Sequence, residues 1–190
     1  MRTLVSDRVE KYDGSQLRAG WLAEAFGLAP DAAAAFTGPC DVAAEHMVDL
    51  EDLEAGATIV AREMLHLVVE HIDGDLMRTT MRQRLLMACA MERLSELTPA
   101  RLARTGDDIF VVEPGGARRK LTVSVATRSR AGTGLIHAGI NIDPAGAPVP
   151  AVGLAELGID PSGLARDILA GYAAEVEGVA RAAAKVREAP

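Results

Sequence analysis

RTGDDIFVVEPGGARRKLTVSVATRSRAGTGLIHAGINID, Arg104 to Asp143, is the stretch on which the fold turns. Turn-forming EPGG and RSRAG break it into three runs, DDIFVVE, RKLTVSVAT and TGLIHAGINID. Each run is dense in Val, Ile and Thr over the length of a strand, so three strands joined as hairpins are predicted. Hairpin pairing would bring Asp107 or Asp108 near Lys120 across one sheet face. A lone lysine beside a carboxylate at a strand edge is often only an ion pair. The functional alternative is a compact cation that steadies phosphate and carbonyl oxygens during acyl activation.

Working outward, Thr3 to Tyr12 alternates as a strand, and DGS (Asp13 to Ser15) makes a turn. Ser15 then reads as the N-cap of a helix over QLRAGWLAEAF, with Leu17, Trp21, Leu22 and Phe26 on its apolar side. Ala32 to Val42 predicts a short strand, and the acidic MVDLEDLEAG a loop or single turn. Ala57 to Ile72 is rich in β-branched residues and closes on DGD, which favours one or two strands over a helix. From Asp75 to Leu97, Leu76, Met77, Met81, Leu85, Leu86, Met91 and Leu94 recur at helical spacing, and Pro99 ends that helix. Proline-containing linkers around APVPAVG and IDPSG precede an amphipathic helix over Ser162 to Glu188. Strands interleaved with a few helices, without strict βαβ alternation, predict an α+β fold: a mixed β-sheet with flanking helices, taken as one domain over residues 1–190.

Composition narrows the function classes. The chain carries 20 basic and 27 acidic residues in 190, a net charge of −7, and is 49% hydrophobic. That balance is too apolar for disorder and too acidic for a non-specific nucleic-acid binder, which needs a basic face. No apolar run reaches the ~20 residues of a membrane span, and the first residues are charged where a signal peptide would be apolar. With two isolated cysteines, Cys40 and Cys89, the expectation is a cytoplasmic protein without disulfides. Only three of the basic residues are lysines, Lys11, Lys120 and Lys185, and Lys120 alone opens an apolar strand. Arg118 and Arg119 beside it form a basic island, which points to a small anionic ligand.

Other chemistries fit poorly. Glu63, His66 and Glu70 would share a helix face, but such a metal site needs a second matching set, and the sequence has none. On a strand His66 and Glu70 share one face and Glu63 takes the other. No metal site is expected, and His66 reads as a site-lining or structural histidine. No serine sits in G-x-S-x-G, and the glycine-rich phosphate loops are absent. Cys40 follows Gly-Pro with nothing nearby to activate it, so a buried structural thiol is the better reading.

The order DDIFV, RKLTVSVA, LIHAGINID and VGLAELGID before a terminal helix resembles the catalytic core of the biotin/lipoate protein ligase superfamily, which has a class II synthetase-like fold. More closely, YDGSQL, MLHLVVEH, QRLL, GDDIFV, KLTVSVAT and IHAGINI are similar to domain of unknown function family 366, which is placed with that fold. The resemblance implies Asp108 and Lys120 as catalytic residues, with Asn141 in the Gly-Ile-Asn step at the substrate. Ser15, Gln16, His66, His137 and Arg118 are the remaining candidates for substrate binding. It implies an acyl-transfer or acyl-adenylate-forming enzyme acting on a small carboxylic acid, with ATP and Mg as cofactors and an acceptor protein as partner. A homodimer is compatible with it. The ligases' glycine- and arginine-rich phosphate loop has no match: AREMLHLVVEH stands in its place. Nor does either cysteine follow the Gly-Ile-Asn strand, where octanoyl transferases on this fold carry theirs. The rival is a non-catalytic module on the same fold that binds a small ligand.

Overall fold

Gly134–Asp143, the strand expected from TGLIHAGINID, lies inside a five-stranded sheet and divides its side chains between two faces. The computed structural model describes residues 1–189. In chain order it runs β1 (Arg2–Val9), α1 (Trp21–Phe26), β2 (Ala32–Val42), α2 (Leu50–Glu54), β3 (Ile59–His71), α3 (Leu76–Leu97) and β4 (Leu102–Thr105). Then come β5 (Asp108–Val112), β6 (Arg118–Lys120), β7 (Thr122–Arg128), β8 (Gly134–Asp143), α4 (Leu154–Leu157) and α5 (Pro161–Ala184). The main sheet has the order β1-β2-β3-β8-β7, and a small second sheet has the order β4-β5-β6. Only β1 and β2 pair in parallel; every other strand pair is antiparallel. The fold is thus α+β, a mixed sheet carrying helices.

Period-2 alternation decides what each face buries. Leu65, Leu67 and Val69 of β3 join Ile136, Ala138 and Ile140 of β8 under α3 and α5, in the larger core. Met64 and Val68 of β3 turn the other way, toward α1 and Tyr12. Ala32 to Ala35 are fully buried, and these short side chains let elements close on both faces of β2. Asp75 caps α3 by accepting from Arg78 N at 2.7 Å. Asp160 caps α5, with Pro161 at the first helical position. Among the described residues no helix is long and apolar enough to cross a membrane.

The structure departs from the sequence reading in three places. RKLTVSVAT is not one strand: it leaves the small sheet as β6 and joins the main sheet as β7. Leu121 is the crossing point, donating from N to Ile109 O and accepting at O from Asn141 N. A residue bonded to a different sheet on each side cannot continue a single ladder. Second, β4 forms from LART, a segment with no strand pattern of its own, because it completes the small sheet beside β5. Third, the first helix starts at Trp21, and Ser15 lies exposed in a turn instead of capping it. Glu70 of β3 takes that role, accepting from Gly20 N at 2.8 Å and Leu22 N at 2.7 Å. A buried carboxylate from fifty residues away thus satisfies the helix's free N–H groups.

Candidate functional site

Lys120 stands at the end of β6, one residue before the crossing at Leu121, and the backbone on either side fixes it. Its N–H donates to Pro150 O at 2.8 Å, and its carbonyl accepts from Val152 N at 3.1 Å and Asn141 Nδ2 at 3.2 Å. With the main chain held from three directions, the ammonium reaches Asp108 Oδ2 at 2.9 Å, across the β5–β6 hairpin. The juxtaposition expected from hairpin pairing is present. Burial raises the Asp108 carboxyl above its ordinary value, more than the Lys120 ammonium lowers it.

This pair borders a cleft of about 320 Å³. Its body is apolar, with Val42, Ile59, Val60, Met64, Val123 and Val149 in the wall, and Tyr12, His137 and Asn141 contribute polar groups. Asp49, Glu51 and Asp52 from α2 and the residue before it border the same space as Asp107 and Asp108. The charged rim therefore holds five carboxylates and one ammonium. Asp107 is anchored from behind: its Oδ2 accepts from Gln83 Nε2 and Ser124 Oγ, each at 2.9 Å. Arg84 Nη1 lies 2.8 Å from its Oδ1 as a charge contact out of hydrogen-bond alignment.

At the cleft floor, His66 Nδ1 lies 3.1 Å from His137 Nε2, and His66 Nε2 lies 3.2 Å from the Gly38 carbonyl. The Tyr12 ring stacks on His137 with centroids 3.7 Å apart. Burial holds both imidazoles neutral. It pushes His66 down to about 4 and His137 well below its ordinary value, with His66 adding to the latter shift. Two glycines make room for this packing. A Cβ on Gly38 would run into the Glu10 carbonyl, and one on Gly139 into Met64 Sδ.

Of the residues singled out from sequence, Asp108, Lys120, His137 and Asn141 meet in the cleft, and His66 supports His137 from beneath. Three do not line it. Ser15 is exposed in its turn. Gln16 is buried as a local brace, donating to Lys11 O and accepting from Asp13 N. Arg118 shares the Lys120 face of β6 but lies two residues farther out, where it reaches over the Phe110 ring and donates to Thr105 Oγ1 instead of entering the cleft. The basic island is dispersed as well: Arg119 pairs with Glu113 and Glu156, leaving Lys120 as the cation in the cleft. Both cysteines are buried, with burial raising the thiols to about 12 for Cys40 and about 11 for Cys89. His66 and Glu70 share a face, as strand alternation required, and among the described residues no cluster of His, Cys, Asp or Glu could hold a metal ion. Sequence reasoning missed Tyr12 and the Gln83–Asp107–Ser124 network. Gln83, a polar residue amid the apolar positions of α3, was the available signal.

Comparison with solved structures places this geometry. A protein of unknown function from Pyrococcus horikoshi superposes with a TM-score of 0.90 at 35% identity, covering 100% of this chain and 99% of that one. Biotin protein ligase from Aquifex aeolicus, in complex with biotin and ATP, gives 0.56 at 12% identity, covering 93% of this chain and 70% of its own. A bi-partite lipoate protein ligase from Thermoplasma acidophilum gives 0.54 at 14%, covering 93% and 83%. At those identities the two ligases show the fold, which is that of the biotin/lipoate ligase catalytic core. No match was found among curated proteins. The family model described as domain of unknown function (DUF366) matches residues 1–187, and the chain belongs to that family.

Proposed function

We propose that the protein is an acyl-transfer or acyl-adenylate-forming enzyme acting on a small carboxylic acid, with residues 1–190 as one ligase-like unit. The observation that carries this reading is the Lys120–Asp108 pair beside an apolar-bodied cleft. An acyl chain would lie along Met64, Val60 and Val123, and its carboxyl group would meet the Lys120 ammonium. Lys120 would hold carbonyl or phosphate oxygens as charge develops on them, the kind of preorganised stabilisation that accelerates acyl transfer. Asp108 would orient Lys120 or an incoming amine. ATP with Mg would supply the adenylyl group, the carboxylate oxygen bonding to the α-phosphorus as pyrophosphate leaves; the Aquifex ligase is described in complex with biotin and ATP. Lys120 would face its phosphates. An acceptor protein would complete the reaction; the Thermoplasma ligase is described with its E2 lipoyl domain. The buried, unionised cysteines give no support to a thioester route.

The test is pyrophosphate exchange across a panel of short acids, with native protein and Lys120→Ala. Acid-dependent exchange that falls at least about a hundredfold in the variant is expected from loss of one preorganised charge. Exchange that persists unchanged would remove Lys120 from the chemistry.

A second reading, a non-catalytic module that binds a small ligand on the same fold, is favoured by one observation: a single ammonium against five rim carboxylates. Thermal-shift measurements distinguish the two. Stabilisation by an acid together with ATP supports the enzyme, and stabilisation by an acid without turnover supports the module.

A further inference from the structure

The histidine pair at the cleft floor has a fixed direction. The Gly38 carbonyl can only accept, so His66 Nε2, 3.2 Å away, carries the hydrogen. A neutral imidazole with Nε2–H keeps a bare lone pair on Nδ1. That lone pair faces His137 Nε2 at 3.1 Å, so the His137 hydrogen is on Nε2 and its own Nδ1 is bare. The tautomers are assigned from this chain of partners, which begins at a backbone carbonyl that cannot reverse.

Nδ1 of His137 has no hydrogen-bond donor among the described residues. The buried side-chain atoms without a hydrogen-bond partner there are His71 Nδ1 and Arg84 Nη1, so Nδ1 of His137 is not sealed in the core. His137 lines the cleft, and the lone pair is open to it. The ring cannot swing freely to find another partner, because Tyr12 stacks on it and Tyr12 is tied by backbone hydrogen bonds to Pro39 and Asp41.

We propose that His137 Nδ1 accepts a hydrogen bond from the inner end of the bound acid, with His66 as the positioning residue that fixes the acceptor. The inference rests on the acyl reading above and narrows its substrate class. The ligand would be a carboxylic acid whose chain ends in an N–H or O–H donor, not in plain hydrocarbon. His137 and Asn141 share one face of β8 four residues apart, about 13 Å along the strand. Lys120 is bonded to Asn141 at one end of that span, so head and tail contacts are separated by the length of an extended medium acyl chain. Met64 and Val123 offer apolar contact between them. Without a donor on the ligand, an unpaired acceptor would be desolvated on binding, which is the source of discrimination.

The experiment compares octanoate with 8-hydroxyoctanoate by titration calorimetry on the full chain, native and as His137→Phe and His66→Phe. Phenylalanine at 137 retains a ring for Tyr12 to stack on and removes the acceptor. The hydroxylated acid is expected to bind native protein about tenfold more tightly than octanoate, the equivalent of one good hydrogen bond. That ratio should fall to about one in both variants. In parallel, long-range ¹H–¹⁵N spectra of the native protein should show His66 and His137 both in the Nε2–H form, which leaves Nδ1 of His137 as the acceptor the inference needs. Equal affinity for the two acids in native protein, or an Nδ1–H signal from His137, overturns the inference and leaves the acyl reading standing. Failure of both acids to bind, with the Nε2–H tautomers intact, overturns the acyl reading and the inference built on it. The spectra keep the test decisive if either variant does not fold.

Discussion

Asn141 Nδ2 donates to the backbone carbonyl of Lys120 at 3.2 Å, so an amide on the main sheet holds the residue whose ammonium meets Asp108 on the small sheet. The same carbonyl also accepts from Val152 N. Losing the amide therefore does not leave the carbonyl orphaned. Asn141→Ala should cost about 1 kcal/mol, a fall of about 2–4 °C in Tm for a chain of this size. A loss of acid binding larger than that modest destabilisation would separate its role at the ligand from its role in the fold.

Asp108→Asn should trade activity for stability. Because burial raises this carboxyl in the folded protein, its ionised form is relatively disfavoured there. The native protein therefore loses stability as pH rises from the unfolded value through the higher folded one. The variant escapes that loss. Its Tm should equal or exceed the native value at pH 7, the advantage should shrink as pH falls through the carboxylate range, and acyl activation should be lost. A lower Tm at pH 7 that recovers in acid would contradict the sign.

Three buried histidines make the protein acid-labile. Burial depresses His66 and His71 to about 4 and holds His137 well below its ordinary value, so all three are neutral in the fold at pH 7. Unfolded, they take up protons below about pH 6.5. Their contribution is fully present above that value and is lost as pH falls toward the folded values, at up to about 1.4 kcal/mol per pH unit for each. Thermal melts between pH 7 and pH 4.5 should show this slope. His71→Phe, which removes the partner of the Tyr172 hydroxyl, should lower Tm at pH 7 and flatten the slope by about a third.

Gly139 is a packing site for Met64. Gly139→Ala forces the Met64 sulfur to move, with a cost of about 1–3 kcal/mol from overpacking. Shortening the neighbour in Met64→Ala/Gly139→Ala should recover part of that cost. A double-mutant cycle by urea denaturation measures the coupling, and strict additivity would show that the two side chains do not compete for space.

The strands around Ile109, Val125 and Ile136 were legible because alternation and turn residues are local signals, and so was the meeting of Asp108 with Lys120 across a hairpin. What stayed hidden was set by distant partners. Ser15 looked like a cap because caps are normally local, whereas α1 is satisfied by Glu70 through the tertiary fold. Leu121 looked like mid-strand because no residue type marks a change of sheet; Ile109 and Asn141 impose it. Arg118 and Arg119 looked like part of a basic site because composition carries no direction; the pleat turns Arg119 to the other face, and Arg118 is taken up by Phe110 and Thr105, so Lys120 is left as the cation at the cleft. His66 and His137, 71 residues apart, could be named as candidates, but their contact comes from the β3–β8 register.

The crossing at Leu121 divides the site between two separately built parts. Asp108 and Lys120 belong to the three-stranded sheet, and His137 and Asn141 to the five-stranded one. Changes to the Asp108–Lys120 pair and changes to the His137 floor are thus largely separable, joined chiefly through the Asn141–Lys120 hydrogen bond. A descendant of this chain could keep one ligand's tail while altering what is done to the head, with Leu121 as the seam that both versions inherit.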